Sequence, residues 1–144
     1  MTERILIVED EAITALDLKI TLIDLGYEVI DTVDNGEDAI KIAVRENPDL
    51  TIMDIKLKGE MTGIDVSSKL AELDLPVIYL TANSDNDTFN KSLANSSAYA
   101  FIRKPFKKES IKTAIKFAIN KSKIENEKLN LAQGFVDWTK VVIN

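Results

Sequence analysis

Short apolar runs alternate with amphipathic stretches along most of this chain. Arg4 to Val8, Leu50 to Leu57, Pro76 to Ala82 and Ala98 to Ile102 are runs dominated by aliphatic, β-branched and aromatic residues, as in strands buried on both faces of a parallel sheet. Glu28 to Val33 alternates instead, which fits a sheet edge.

The stretches between them carry helical periodicity. From Ala12 to Leu25 the apolar positions Ala12, Leu16, Ile20 and Ile23 recur at helical spacing, and Gly26 follows as a natural terminator. Glu37 to Arg45 sets Ala39, Ile40, Ala43 and Val44 on one face before Asn47-Pro48 stops it. Ile64 to Leu73 repeats through Ile64, Val66, Leu70 and Leu73, and a last helix from Lys107 runs through Ile111, Ala114, Ile115, Ala118 and Ile119. Residues 83 to 97 are polar, with only Phe89, Leu93 and Ala94 to anchor a short helix. That segment is expected to be the least stable part of the fold. Five strand–helix alternations predict βαβ units, a parallel sheet and helices on both faces, in one three-layer α/β/α domain.

Composition narrows the chemistry. The chain has 144 residues, 45% of them hydrophobic and 29% charged, enough to bury about two thirds of the unfolded surface in one core. No apolar run is long enough to span a membrane, and Thr2-Glu3-Arg4 leads straight into a strand-like run rather than a signal segment. Cytoplasmic residence without membrane insertion is the expectation. There is no cysteine and no histidine, which removes thiol catalysis, Ser-His triads and thiolate or imidazole zinc sites. A metal would have to be held by oxygen, which favours Mg²⁺ or another hard cation. The net charge of −6 argues against direct nucleic-acid binding.

In open parallel sheets the chemistry lies beyond the carboxyl ends of the strands. Those ends carry Glu9 and Asp10 after the first strand, Asp54 in the third, Thr81 in the fourth and Lys104 after the fifth. Singly, each has an ordinary explanation: a helix start, a loop cap, a surface charge. Together they supply carboxylates for a hard cation, a carboxylate nucleophile, a hydroxyl and an ammonium, which are the parts an in-line phosphoryl transfer needs.

Four segments carry a resemblance: Ile7-Val8-Glu9-Asp10-Glu11, Met53-Asp54, Leu80-Thr81-Ala82 and Phe101-Ile102-Arg103-Lys104-Pro105-Phe106. In this order and at these separations, the chain resembles a response regulator receiver domain of two-component signalling over roughly residues 3 to 121. The resemblance implies a flavodoxin-like doubly wound sandwich with a five-stranded parallel sheet in the order 2-1-3-4-5 and five helices. It implies that Asp54 accepts a phosphoryl group from a partner histidine kinase or histidine phosphotransfer protein. Glu9, Asp10, Asp54 and the backbone carbonyl of Lys56 would hold Mg²⁺, and Thr81 and Lys104 would contact the phosphate. Thr81 and Phe101 would form the switch, altering the face of the fourth helix, fifth strand and fifth helix for a downstream effector or a homodimer. Such a chain is a signalling phosphoacceptor rather than an enzyme, and assists only its own phosphorylation and dephosphorylation.

Two features depart from the family's commonest pattern. The loop after Asp54 lacks a Met-Pro pair and reaches Gly63 one residue late. Lys56 and Asn83 stand at positions that in this family tune hydrolysis of the acyl phosphate, and a lysine at 56 would shield it from water. Residues 1–121 are expected to be the receiver and 122–144 a helical extension or a linker to an output module. That extension is polar as far as Asn130 and ends in an apolar stretch that includes Phe135 and Trp138. It either folds back, begins such a module, or docks a partner or second copy. Two other functions compete: a receiver-shaped docking module without phosphorylation, and a Mg²⁺-dependent aspartyl-phosphate phosphatase. Haloacid-dehalogenase-type enzymes of the latter class place an Asp-x-Asp pair after the first strand, where this chain has Glu9-Asp10-Glu11.

Overall fold

In a computed structural model that describes residues 2–82 and 98–143, with side chains as far as residue 128, each apolar run is a strand. These are β1 (Arg4–Val8), β2 (Glu28–Val33), β3 (Leu50–Asp54), β4 (Val77–Ala82) and β5 (Ala100–Lys104). All pair in parallel, in the order β2-β1-β3-β4-β5. The alternating run is indeed an edge: every residue of β2 is at least partly exposed, whereas all five of β3 are buried.

The connecting helices are α1 (Ala12–Asp24), α2 (Gly36–Glu46), α3 (Gly63–Glu72) and α4 (Lys108–Ile143). The short helix expected within residues 83 to 97, and Asn83 with it, lies outside the described residues. α1 and α4 cover one face of the sheet through Leu18, Leu22, Ile111, Ile115 and Ala118 against Ile5, Ile7, Ile52 and Leu80. α2 and α3 cover the other through Ala39, Ile42, Ala43, Val66 and Leu70 against Leu6, Val8, Met53 and Tyr79. The sheet is thus doubly wound, with its carboxyl edge left open to loops.

Local chemistry fixes the helix ends. Gly26, at φ 93°, lets α1 close with Gly26 N–H donating to the Ile23 carbonyl and Tyr27 N–H to that of Leu22. Asn35 caps α2 by accepting from Asp38 N–H at 2.9 Å. Thr62 and Asp65 form a reciprocal capping box on α3.

One helix packs differently from its periodicity. α1 buries Ala15, Leu18 and Leu22, while Leu16, Ile20 and Ile23 are 58%, 58% and 55% exposed and Ile13 86%. The helix carries two apolar stripes. The turn at Gly26 lays Leu25 and Tyr27 onto the sheet and so brings the Leu18 and Leu22 side down. Val44 and Leu73 likewise face outward, while Ile42 on α2 and Ser67 on α3 are buried. On α4 the expected residues do face the core, and the helix continues unbroken past residue 121 to Ile143.

Candidate functional site

β1, β3 and β5 end side by side with β4, and their registers set the site. Leu80 pairs with Asp54 across β3 and β4, and Ala82 with Lys104 across β4 and β5, so Thr81 stands between the levels of the acid and the lysine. Strands buried on both faces have no freedom to move these side chains along the edge.

Lys104 is the centre. Its Nζ lies 2.9 Å from Glu9 Oε2, 2.9 Å from Asp54 Oδ2 and 3.5 Å from Glu11 Oε1. Glu9 is 2% exposed, and its other oxygen accepts from Glu11 N–H at 3.1 Å. Asp54 is 8% exposed, and its Oδ1 accepts from Lys56 N–H at 3.1 Å. One ammonium therefore faces two buried carboxylates and, farther off, that of Glu11, whose side chain is 67% exposed. Burial, reinforced by the charge of Asp54 and only partly relieved by the hydrogen bond to Lys104, raises Glu9 from 4.5 to about 7. For Lys104, desolvation acts to lower the pKa but is outweighed by the hydrogen bonds to Asp54 and Glu9, so the ammonium is held well above its ordinary value.

Among the described residues, Glu9, Glu11 and Asp54 are the acids whose oxygens all lie within 4.8 Å of one another. Asp10 is not one of them; it lines, with Glu9, an adjoining hollow of about 590 Å³ between α1 and the segment Thr32–Asp38. Glu11 is the residue that the sequence offered only as part of a helix start. The donor set is all oxygen and, when fully ionised, carries two more negative charges than Lys104 offsets, which suits a hard divalent cation.

Thr81 is 2% exposed. Phe101 is half-buried, its ring centroid 5.5 Å from that of Tyr79 at 48°. The Tyr79 hydroxyl donates to the Gly63 carbonyl at 3.1 Å and shares a hydrogen bond with Ser67. Gly63 in turn anchors the late loop: its N–H donates to the Ile55 carbonyl at 2.9 Å, and a Cβ there would lie 2.6 Å from the Asp54 carbonyl oxygen. The loop between them also bridges Lys58 to Asn35, and Lys56 is exposed.

This sheet order, with acids, a buried threonine and a lysine on one carboxyl edge, defines a receiver-type domain. The chain belongs to the response regulator receiver domain family, whose model matches residues 5–116. It is 35% identical over 119 residues to the transcriptional regulatory protein PdtaR of Mycobacterium tuberculosis, covering 82% of this chain and 57% of that protein. It is 34% identical over 127 residues to the alkaline phosphatase synthesis transcriptional regulatory protein PhoP of Bacillus subtilis, covering 86% and 51%. The chain thus spans little more than half the length of these relatives. Among solved structures it is similar to the signal receiver domain of a modulated diguanylate cyclase from Desulfovibrio desulfuricans G20, with a TM-score of 0.80 and 34% identity, covering 87% of this chain and 99% of that one. Among the described residues no helix is long and apolar enough to cross a membrane.

Proposed function

We propose that this chain is a phosphoacceptor switch in which Asp54 takes a phosphoryl group from the phosphohistidine of a partner kinase or phosphotransfer protein. The observation that carries the reading is the single ammonium of Lys104 held 2.9 Å from both Glu9 and Asp54 at the sheet's open edge. An Asp54 carboxylate oxygen attacks phosphorus in line, the P–N bond of the donor imidazole breaks, and an acyl phosphate forms. Lys104 shifts from the carboxylate to a phosphoryl oxygen, and the Thr81 hydroxyl donates to another. Glu9 and Asp54, with Asp10 or Glu11 and the Lys56 carbonyl, would hold Mg²⁺, which when bound supplies neutralisation of the converging negative charge. Exposed Lys56 would screen the acyl phosphate from water.

The donor has a surface to meet. Ile13, Leu16, Ile20 and Ile23 leave an apolar stripe on α1. The stripe begins at a hollow of about 340 Å³ lined by Glu11, Ile13, Thr14, Lys104, Pro105 and Phe106. Helices of a donor protein packed there would bring a histidine toward Asp54. The added charge of about −1.5 to −2 then draws Thr81 inward, and Phe101 follows into the space vacated. The receiver proper is residues 1–121.

Intact mass with Mg²⁺ and acetyl phosphate tests this: one phosphoryl adduct on the wild type and none on Asp54→Ala is the expected result. No adduct on either would leave a docking module without phosphorylation. Unchanged amide exchange across residues 83 to 106 on phosphorylation would remove the switch.

A further inference from the structure

The loop that follows Asp54 is closed at its base. Residues 56–62 are exposed or half-exposed, whereas Ile55 and Gly63 at its two ends are buried. Gly63 N–H donates to the Ile55 carbonyl at 2.9 Å, and the absence of a Cβ on Gly63 leaves room for the Asp54 carbonyl. Lys56 N–H, one residue inside this closure, donates to the Asp54 carboxylate at 3.1 Å. Whatever holds the base of the loop therefore also sets how Lys56 meets Asp54.

β4 holds it. Ile55 N–H donates to the Leu80 carbonyl at a long 3.3 Å, and the Tyr79 hydroxyl donates to the Gly63 carbonyl at 3.1 Å. Tyr79 is the bulkiest fully buried side chain among the described residues. An aliphatic residue would fill its place with no hydroxyl to satisfy, and a buried hydroxyl costs stability unless it is bonded. Here two of the groups it meets, the Gly63 carbonyl and the Ser67 hydroxyl, belong to α3 rather than to the sheet. Thr81 lies two residues along the same face of β4, and the ring of Phe101 lies beside that of Tyr79. The hydroxyl thus joins the strand bearing Thr81 to the loop bearing Lys56.

We propose, on the reading that Asp54 is phosphorylated, that Tyr79 is a positioning residue for that reaction: its hydroxyl fixes the base of the loop on β4 and so keeps Lys56 over the acyl phosphate. In hydrolysis water attacks phosphorus, the bond from phosphorus to the Asp54 oxygen breaks, and the carboxylate and inorganic phosphate are released. Tyr79 touches none of these atoms. It acts through Gly63 and Ile55, and a loop loosened at its base admits water more readily.

Tyr79→Phe keeps the ring and removes only the hydroxyl. Wild type and variant are phosphorylated with acetyl phosphate and Mg²⁺, desalted rapidly and followed by intact mass. First-order loss of the adduct is expected to be about fivefold faster in Tyr79→Phe, one neutral hydrogen bond expressed as a rate. Amide exchange across residues 55–63 of the unphosphorylated protein should quicken as well. Ile115→Val, which trims the core on the opposite face of the sheet, is the stability control: its Tm should fall by a few degrees while its adduct decays at the wild-type rate. Wild-type decay in Tyr79→Phe, equally hastened decay in Ile115→Val, or unchanged exchange across residues 55–63 would each overturn the proposal. A wild type that takes no phosphoryl group would sink the phosphoacceptor reading instead, and the tether would then stand on faster exchange in Tyr79→Phe or fall on unchanged exchange.

Discussion

The two ends of β1 use the same kinds of charge to opposite effect. At the amino end Arg4 meets ample partners: its N–H donates to Asp49 at 2.8 Å, its guanidinium to the Glu46 carbonyl at 2.7 Å and to the Glu46 carboxylate at 3.1 Å. The Arg4 and Glu46 side chains are 34% and 40% exposed, so water screens what the protein does not pair. At the carboxyl end, five residues along, Lys104 and Asp54 have side chains only 16% and 12% exposed and Glu9 none. There the acids outnumber the cation. Excess charge costs little where water reaches it and a great deal where it does not. The carboxyl end is thus held short of positive charge, at a cost in stability.

Removing the one cation is expected to have the largest effect. Lys104→Ala leaves Glu9 and Asp54 buried without a counter-charge and should cost about 3 kcal/mol in urea unfolding with EDTA present. The double variant Glu9→Gln with Lys104→Met should recover much of that loss, because the expensive object is the uncompensated charge rather than the missing contact. Recovery would separate this end of β1 from an ordinary structural ion pair. A Lys104→Ala loss under 1 kcal/mol would put the two ends on the same footing.

The next effect is a pH dependence. Glu9 is raised from 4.5 to about 7, so the folded protein binds its proton more tightly than the unfolded chain. The stability this contributes is fully present below pH 4.5 and is lost as pH rises through about 7. The loss amounts to something on the order of 3 kcal/mol in Mg²⁺-free buffer. Lys104 keeps its proton across that range and adds no slope. Glu9→Gln should flatten the curve between pH 5 and 7.5. Mg²⁺ at 100 times its Kd should add back about 2.7 kcal/mol at the alkaline side, and its affinity should fall as Glu9 protonates. A wild-type curve parallel to that of Glu9→Gln would show that Glu9 is not the titrating group.

Strand ends were legible in the sequence because a buried strand leaves no choice of register, and Glu9, Asp54, Thr81 and Lys104 could be read directly from them. Helix faces were less so. α1 presents two aliphatic stripes, and spacing alone cannot say which one the Gly26 turn will press onto the sheet. Glu11 was missed as a neighbour of Lys104 because the link crosses from one strand end to another, although three consecutive acids were its visible trace. Gly63 was noted as a loop glycine, but the reason it must be glycine is a carbonyl 2.6 Å from its absent Cβ, contributed by Asp54. The hydrogen bond from the Tyr79 hydroxyl to the carbonyl of Gly63 itself is likewise a tertiary fact.

The smallest expected effect lies at the amino end. Glu46→Ala removes the carboxylate 3.1 Å from Arg4, yet the Glu46 backbone carbonyl and Asp49 remain as acceptors and solvent reaches the guanidinium. The cost should be at most about 1 kcal/mol, with no change in the rate or yield of phosphorylation by acetyl phosphate. Added salt should lessen even that difference, since exposed pairs are screened within about 10 Å at 0.1 M. The loss from Lys104→Ala should be far less sensitive to salt, because its partners are buried. Similar salt responses at the two ends would mean that water reaches both, and the shortage of positive charge at the carboxyl edge would no longer distinguish the site.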